Sequence, residues 1–166
     1  FDRLEIWLET TKHLSEGQIS SAIVNFHKFH EKWNYTTGKT VRPLFVISMS
    51  TMQDIYAFQL MTTDLDMNYP IWLLIFASET QPDICQFCKN PPGNVFHLTF
   101  KTEMLVSCCW DREIFEWWSR PGNKTHLAKL ATWIGGEKAL EWETDMSLYS
   151  RRHFSDRREV RVVIIG

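Results

Sequence analysis

The chain has 166 residues and a net charge of −2 at neutral pH; 44% of its residues are hydrophobic and 14% aromatic, with eight tryptophans. That length and apolar content allow one compact domain whose core volume is not limiting. The charge balance gives no footprint for nucleic acid or an anionic membrane surface, and the longest apolar run, Ile71 to Ala77, is far shorter than the roughly 20 residues that span a bilayer.

The first stretch, Phe1 to Leu14, lacks the basic start and unbroken apolar core of a signal peptide. Ile19, Ala22, Ile23, Phe26 and His30 share one face at 3.6 spacing, which predicts an amphipathic helix over Gln18–Trp33. The polar stretch Asn34–Thr40, with Gly38, reads as a loop. Leu44–Ser48 is a short buried strand, and Ser50 or Thr51 can cap a helix that runs to about Thr63. Ile71–Phe76 is apolar on both faces, the mark of an interior parallel strand. Pro82–Gly93 reads as a loop, followed by strands over Val95–Phe100 and Met104–Trp110. Asp111 is placed as the cap of a short helix through Trp118, stopped by Pro121-Gly122-Asn123. The remainder, Leu127–Glu143, reads as two short strands around Gly135-Gly136. This order predicts an α/β fold: a mainly parallel sheet with flanking helices at 18–33 and 51–63, Leu44–Ser48 and Ile71–Phe76 as neighbouring interior strands, and an irregular C-terminal third.

Four features could carry chemistry. Cys85 and Cys88 have C-x-x-C spacing, and Cys108 and Cys109 are adjacent. A redox pair needs a helix N-terminus behind it to lower the thiol pKa, but Lys89-Asn90-Pro91-Pro92-Gly93 cannot begin a helix. Zinc would need a second C-x-x-C, and adjacent cysteines on a strand point to opposite faces. The preferred reading is structural: Cys85 or Cys88 pairs with Cys108 or Cys109 in an oxidising compartment, and which pairs form stays open. Asn34 and Asn123 each begin an N-x-T sequon in a predicted loop, which with four cysteines leans toward an extracellular domain with glycans at both positions. His27 and His30 lie i, i+3 on the predicted helix without a third ligand, so they read as a wet helix edge and no metal site is assigned. No nucleophile elbow, phosphate-binding glycine loop or H-E-x-x-H motif is present, the carboxylates form no acid/base pair, and no catalytic residue or cofactor is assigned. Trp117, Trp118, Trp133 and Trp142 read as core filling in preference to an aromatic ligand cage.

Several short motifs occur in a fixed order: Gly93–Phe100, Thr102–Cys108, Glu116-Trp117-Trp118, Ala131-Thr132-Trp133 and Ser147-Leu148-Tyr149-Ser150-Arg151-Arg152. Together they resemble the region just before the ligand-binding domain in the antennal ionotropic receptors of insects, divergent relatives of ionotropic glutamate receptors, and within them the branch tuned to carboxylic acids. The resemblance covers Trp72–Gly166 well and the first seventy residues in pattern only. It implies a shortened periplasmic-binding-like N-terminal domain at 1–145, a linker at 146–159 that carries Tyr149, Arg151 and Arg152, and the first strand of a ligand-binding domain at 160–166. The chain is then expected to be a piece of a longer protein, cut as the next domain begins.

The function implied is that of the extracellular N-terminal part of a chemosensory, ligand-gated cation channel subunit used in olfaction. This part would have a scaffold and assembly role, on the outer side of the cell membrane of a sensory neuron dendrite or cilium. The implied partners are a co-receptor subunit in a heteromer and a small organic ligand, such as a carboxylic acid, bound by the downstream domain. No ligand-binding residue is carried over to this chain. The alternative reading, drawn from the cysteines alone, is a small α/β thiol oxidoreductase using Cys85 and Cys88.

Overall fold

The computed structural model describes residues 3–24, 28–29, 31–33, 41–77, 82–109, 111–120, 124–135 and 140–152. The chain divides into two compact units, Phe1–Pro43 and Leu44–Gly166.

The first unit holds helix α1, Arg3–Glu16. It ends where Gln18 takes φ +60° and the N–H groups of Gln18 and Ile19 donate back to the carbonyls of Ser15 (3.0 Å) and Leu14 (2.8 Å), a Schellman closure. The expected helix over Gln18–Trp33 is therefore replaced at its start. Residues 18–24 are not helical, with Ile19 and Ile23 exposed, and helical conformation within this stretch is described at 28–29 and 31–33, where the buried rings of Phe29 and Trp33 lie 6.0 Å apart. The i, i+4 spacing of Ile19 and Ile23 mimics a helical face on a chain that has just left one.

The second unit is a mixed α/β structure around a six-stranded sheet in the order β1-β2-β3-β4-β5-β6. The strands are β1 (Leu44–Met49), β2 (Ile71–Phe76), β3 (Glu103–Cys108), β4 (Glu113–Arg120), β5 (Lys124–Trp133) and β6 (Leu140–Trp142). β1 pairs with β2 and β2 with β3 in parallel; the remaining three pairings are antiparallel. The expectation of a mainly parallel sheet thus holds for its first half only. The reason lies in the connections: a parallel crossover needs about a dozen residues, and only 109–112, 121–123 and 134–139 separate the later strands.

Helices α2 (Met52–Thr62) and α3 (Pro82–Lys89) form the crossovers on either side of β2. Thr51 caps α2 with a complete capping box: Thr51 Oγ1 accepts from the Asp54 N–H (3.1 Å), and Asp54 Oδ2 accepts from the N–H groups of Ser50 and Thr51 (2.9 and 2.8 Å). Both helices cover the sheet face that carries Trp72, Leu74, Phe76, Met104, Val106 and Trp117, all fully buried. Phe58 of α2 lies 5.5 Å from Trp72 and 4.9 Å from Phe96, while Phe87 of α3 lies 6.2 Å from Phe76 and 6.3 Å from Phe96. Trp72 also donates its indole N–H to the Met67 carbonyl (3.1 Å), so its one polar atom is satisfied inside the core.

Further expectations are corrected here. β1 neighbours β2 as expected, but it is an edge strand of the described sheet, with Leu44 55% exposed. Val95–Phe100 is an irregular loop: His97 takes φ +53°, and the Asn94 side chain bridges to the Leu98 N–H and carbonyl (2.8 and 2.9 Å). Its apolar residues Val95, Phe96 and Leu98 are buried all the same, which is why they read as a strand. Residues 113–118 belong to β4 in place of the expected helix, and the Asp111 N–H closes a turn onto the Cys108 carbonyl (3.0 Å). Ile114, Phe115, Trp117 and Trp118, ring and β-branched side chains, favour the pleated state over a helix there. Over its described residues the C-terminal third, expected to be irregular, is an antiparallel meander with one register shift between Ile114 and Phe115, and the two strands expected around Gly135-Gly136 are β5 and β6. Trp117 and Trp118 are core residues, but Trp133 and Trp142 are half exposed.

Candidate functional site

Register places Val46, Leu73, Leu105, Glu116 and Ala128 in one row across the second face of the sheet. A carboxylate in an apolar row demands a cation. The stretch Ser147–Arg152 supplies two. Ser147 accepts from the Ser150 N–H and caps the short helix α4, Leu148–Arg151. From it, Arg151 grips Glu116 in a bidentate pair: Nε donates to Oε2 (3.0 Å) and Nη2 to Oε1 (2.6 Å). Arg152 Nη2 donates to the same Oε1 (2.7 Å) and to the Thr102 carbonyl (2.8 Å), and its Nη1 donates to the Phe100 carbonyl.

This cluster is deep. The side chains of Glu116 and Arg152 are 2% and 1% exposed, and that of Arg151 is 22% exposed. Burial alone would raise the Glu116 pKa, but hydrogen bonds from both guanidinium groups outweigh it and hold the carboxyl below its ordinary value. Burial lowers the pKa of Arg152, while the bond to Glu116 raises that of Arg151. Glu103, at the start of β3, adds a second negative charge that favours both cations. Aromatic rings complete the setting: Trp118 lies 5.5 Å under the Arg152 guanidinium, and Tyr149 lies 6.0 Å from Phe100. Chemically this is a clamp. The guanidinium groups bond to Glu116 and to backbone carbonyls, and the one donor left over is the buried Arg152 Nε, which has no hydrogen-bond partner among the described residues.

The second site predicted from sequence is the cysteine cluster. The stretch expected to be a loop at Pro82–Gly93 is helical over α3, begun by Pro82 and Asp83 and stopped by Pro91-Pro92. Cys85 and Cys88 sit three residues apart on it, facing the end of β3. Cys85 bonds to Cys109 and Cys88 to Cys108, with Cα separations of 5.8 and 5.7 Å. Cys109 takes φ +49° directly after the strand, so the two adjacent cysteines are not held to the alternation of a strand and both reach α3. The inner bridge is fully buried, and Lys89 and Asp111 form an ion pair (2.8 Å) between the same segments. Two such bridges indicate an oxidising environment, extracellular or secreted.

The other sequence-predicted positions are quickly placed. Asn34 and Asn123 lie outside the described residues, as do His27, His30 and the expected strand 160–166. Thr125, the third residue of the second sequon, is buried and donates Oγ1 to the Gly93 carbonyl (2.6 Å). Among the described residues there is no group of three or more metal-ligating side chains, and no helix is long and apolar enough to cross a membrane. The sequence reading missed Glu116, because it set 111–118 as a helix. The signal was available: two consecutive arginines in a chain of low charge, and a glutamate alternating with ring and aliphatic residues.

Comparison with family models, with curated proteins and with solved structures gives no match to this chain.

Proposed function

We propose that the chain is the extracellular N-terminal part of a chemosensory, ligand-gated cation channel subunit of the ionotropic receptor type, with a scaffold and assembly role. The observation that carries this reading is the meeting of two separated motifs, Glu116-Trp117-Trp118 and Ser147–Arg152, in the Glu116 clamp. Both belong to the ordered series that resembles the antennal receptors, and their contact gives the series a physical reason to occur together. A linker fastened to the domain before it is what a scaffold for a following ligand-binding domain requires. The buried guanidinium groups are engaged by Glu116 and by backbone carbonyls, in keeping with a holding role for Arg151 and Arg152 and with the ligand being bound downstream. The parent would sit in the membrane of a sensory neuron beside a co-receptor subunit, with glycans on Asn34 and Asn123.

The alternative of a thiol oxidoreductase is disfavoured by the pairing of the cysteines. A C-x-x-C redox centre cycles a bond between its own two sulfurs. Here each sulfur is bonded to β3 or the residue just after it, and Cys88 is buried.

The test is to extend the reading frame past Gly166 and to express the parent with its co-receptor. A bilobed domain interrupted by three membrane-spanning stretches is expected. Deleting residues 1–145 should abolish assembly and surface delivery, read by surface biotinylation, before it alters ligand selectivity, read by agonist-evoked currents. Surface substitutions in this segment that change which acids activate, at normal surface expression, would overturn the scaffold reading.

A further inference from the structure

The two disulfides are nested. The loop closed by Cys88–Cys108 spans 20 residues and lies inside the 24-residue loop closed by Cys85–Cys109. Once the inner bridge exists, the outer one restrains only the short lengths 85–88 and 108–109. Loop-closure entropy grows slowly with length, so the outer bridge adds little to the constraint the inner one already imposes. The bridges also differ in access. Cys88 and Cys108 are 0% exposed, even though a groove of about 200 Å³ runs beside them, whereas Cys85 and Cys109 are both partly exposed. Finally, the outer bridge is anchored on Cys109, a non-glycine residue held at φ +49°.

We propose that Cys85–Cys109 is a thiol-exchange site for small aliphatic thiols of the glutathione type, while Cys88–Cys108 stays closed as the structural bridge. Exposed or strained disulfides are the exchangeable ones. In the exchange, a thiolate attacks Cys109 Sγ, the bond to Cys85 breaks, and a mixed disulfide forms on Cys109. Cys85 leaves as a thiolate and takes a proton from water. It is the better leaving group because it is the fourth residue of α3, near the positive end of the helix. A second thiol then frees Cys109 and departs as the oxidised dimer, which leaves a dithiol on the protein. The inner bridge and the Lys89–Asp111 ion pair hold α3 against the end of β3 throughout.

The experiment incubates the folded chain with graded reduced glutathione, quenches with iodoacetamide, and maps each cysteine by peptide mass spectrometry. Glutathionyl or alkyl groups should arrive on Cys85 and Cys109 about 10-fold or more faster than on Cys88 and Cys108, with near-ultraviolet circular dichroism unchanged. The double variant C85A/C109A should fold, keep the inner bridge and take up no glutathione. Inner cysteines that react as fast as the outer pair would overturn the proposal. So would simultaneous opening of all four with loss of the folded signal, or failure of C85A/C109A to fold.

Discussion

Replacing Glu116 by glutamine removes the charge at the centre of the clamp and keeps its shape. Arg152 then lies buried, with the carbonyl oxygens of Phe100 and Thr102 and one amide oxygen as its partners, while Arg151, 22% exposed, can turn toward water. Removing one partner of a buried ion pair costs about 3–5 kcal/mol. The retained acceptor and the escape route for Arg151 place E116Q at the lower end, about 3 kcal/mol. For a chain of this size each kcal/mol moves the thermal midpoint by about 2–4 °C, so the variant should melt about 6–12 °C lower, as followed by circular dichroism. Adding R152M removes the stranded charge and should recover about 1–2 kcal/mol of the loss in urea titrations. The reasoning fails if E116Q lies within about 0.5 kcal/mol of the parent, or if the R152M penalty simply adds to it.

Other consequences are as direct. Because the folded pKa of Glu116 lies below its ordinary value, the clamp's stabilisation is complete at neutral pH and is lost as pH falls through that folded pKa; urea midpoints between about pH 5 and 2 should drop less steeply for E116Q than for the parent. His126, stacked 4.4 Å from Trp118, has a pKa lowered by burial and by Arg120 and Lys124, so its NMR titration should fall below the ordinary histidine range and H126A should weaken the acid dependence just below that range. Trp72→Ala opens a void between Phe45 and Phe58 in the fully buried core and should cost about 3–5 kcal/mol by chemical denaturation, enough to impair folding whatever the ligand tested on the parent. Thr51→Ala breaks the capping box of α2 and should cost about 1 kcal/mol by the same measurement.

The legible parts of the fold are those where local pattern and tertiary demand agree. Ile71–Phe76 has apolar residues on both sides of the strand and is buried between neighbours; Thr51 and Asp54 announce their helix by chemistry that needs no partner. The cysteines were legible as a group, because their two clusters had only each other to bond. The misreadings share another cause. Asp111 looked like a cap, but β3 offered an unpaired edge, and the rings of β4 gained more by extending the sheet than by winding into a helix. Pro82 opened a helix that the following prolines seemed to forbid, since Pro91 and Pro92 limit where α3 stops and say nothing of where it starts. Glu116 was illegible for a related reason. Its partners lie 35 and 36 residues away along the chain, and only the register of β3, β4 and β5 shows that it stands in an apolar row.

The clamp also decides where mechanical load enters the molecule. Arg151 and Arg152 fasten the outgoing chain to β4 and to the entrance of β3, strands with hydrogen-bonded neighbours on both sides. A pull on the residues after 152 is therefore delivered to the middle of the sheet. Without the clamp the same pull would reach β6 first, a three-residue strand at the edge of the described sheet that can be peeled off one hydrogen bond at a time. Whatever tension the following segment exerts, the domain resists it as a block, and the weakest strand is bypassed.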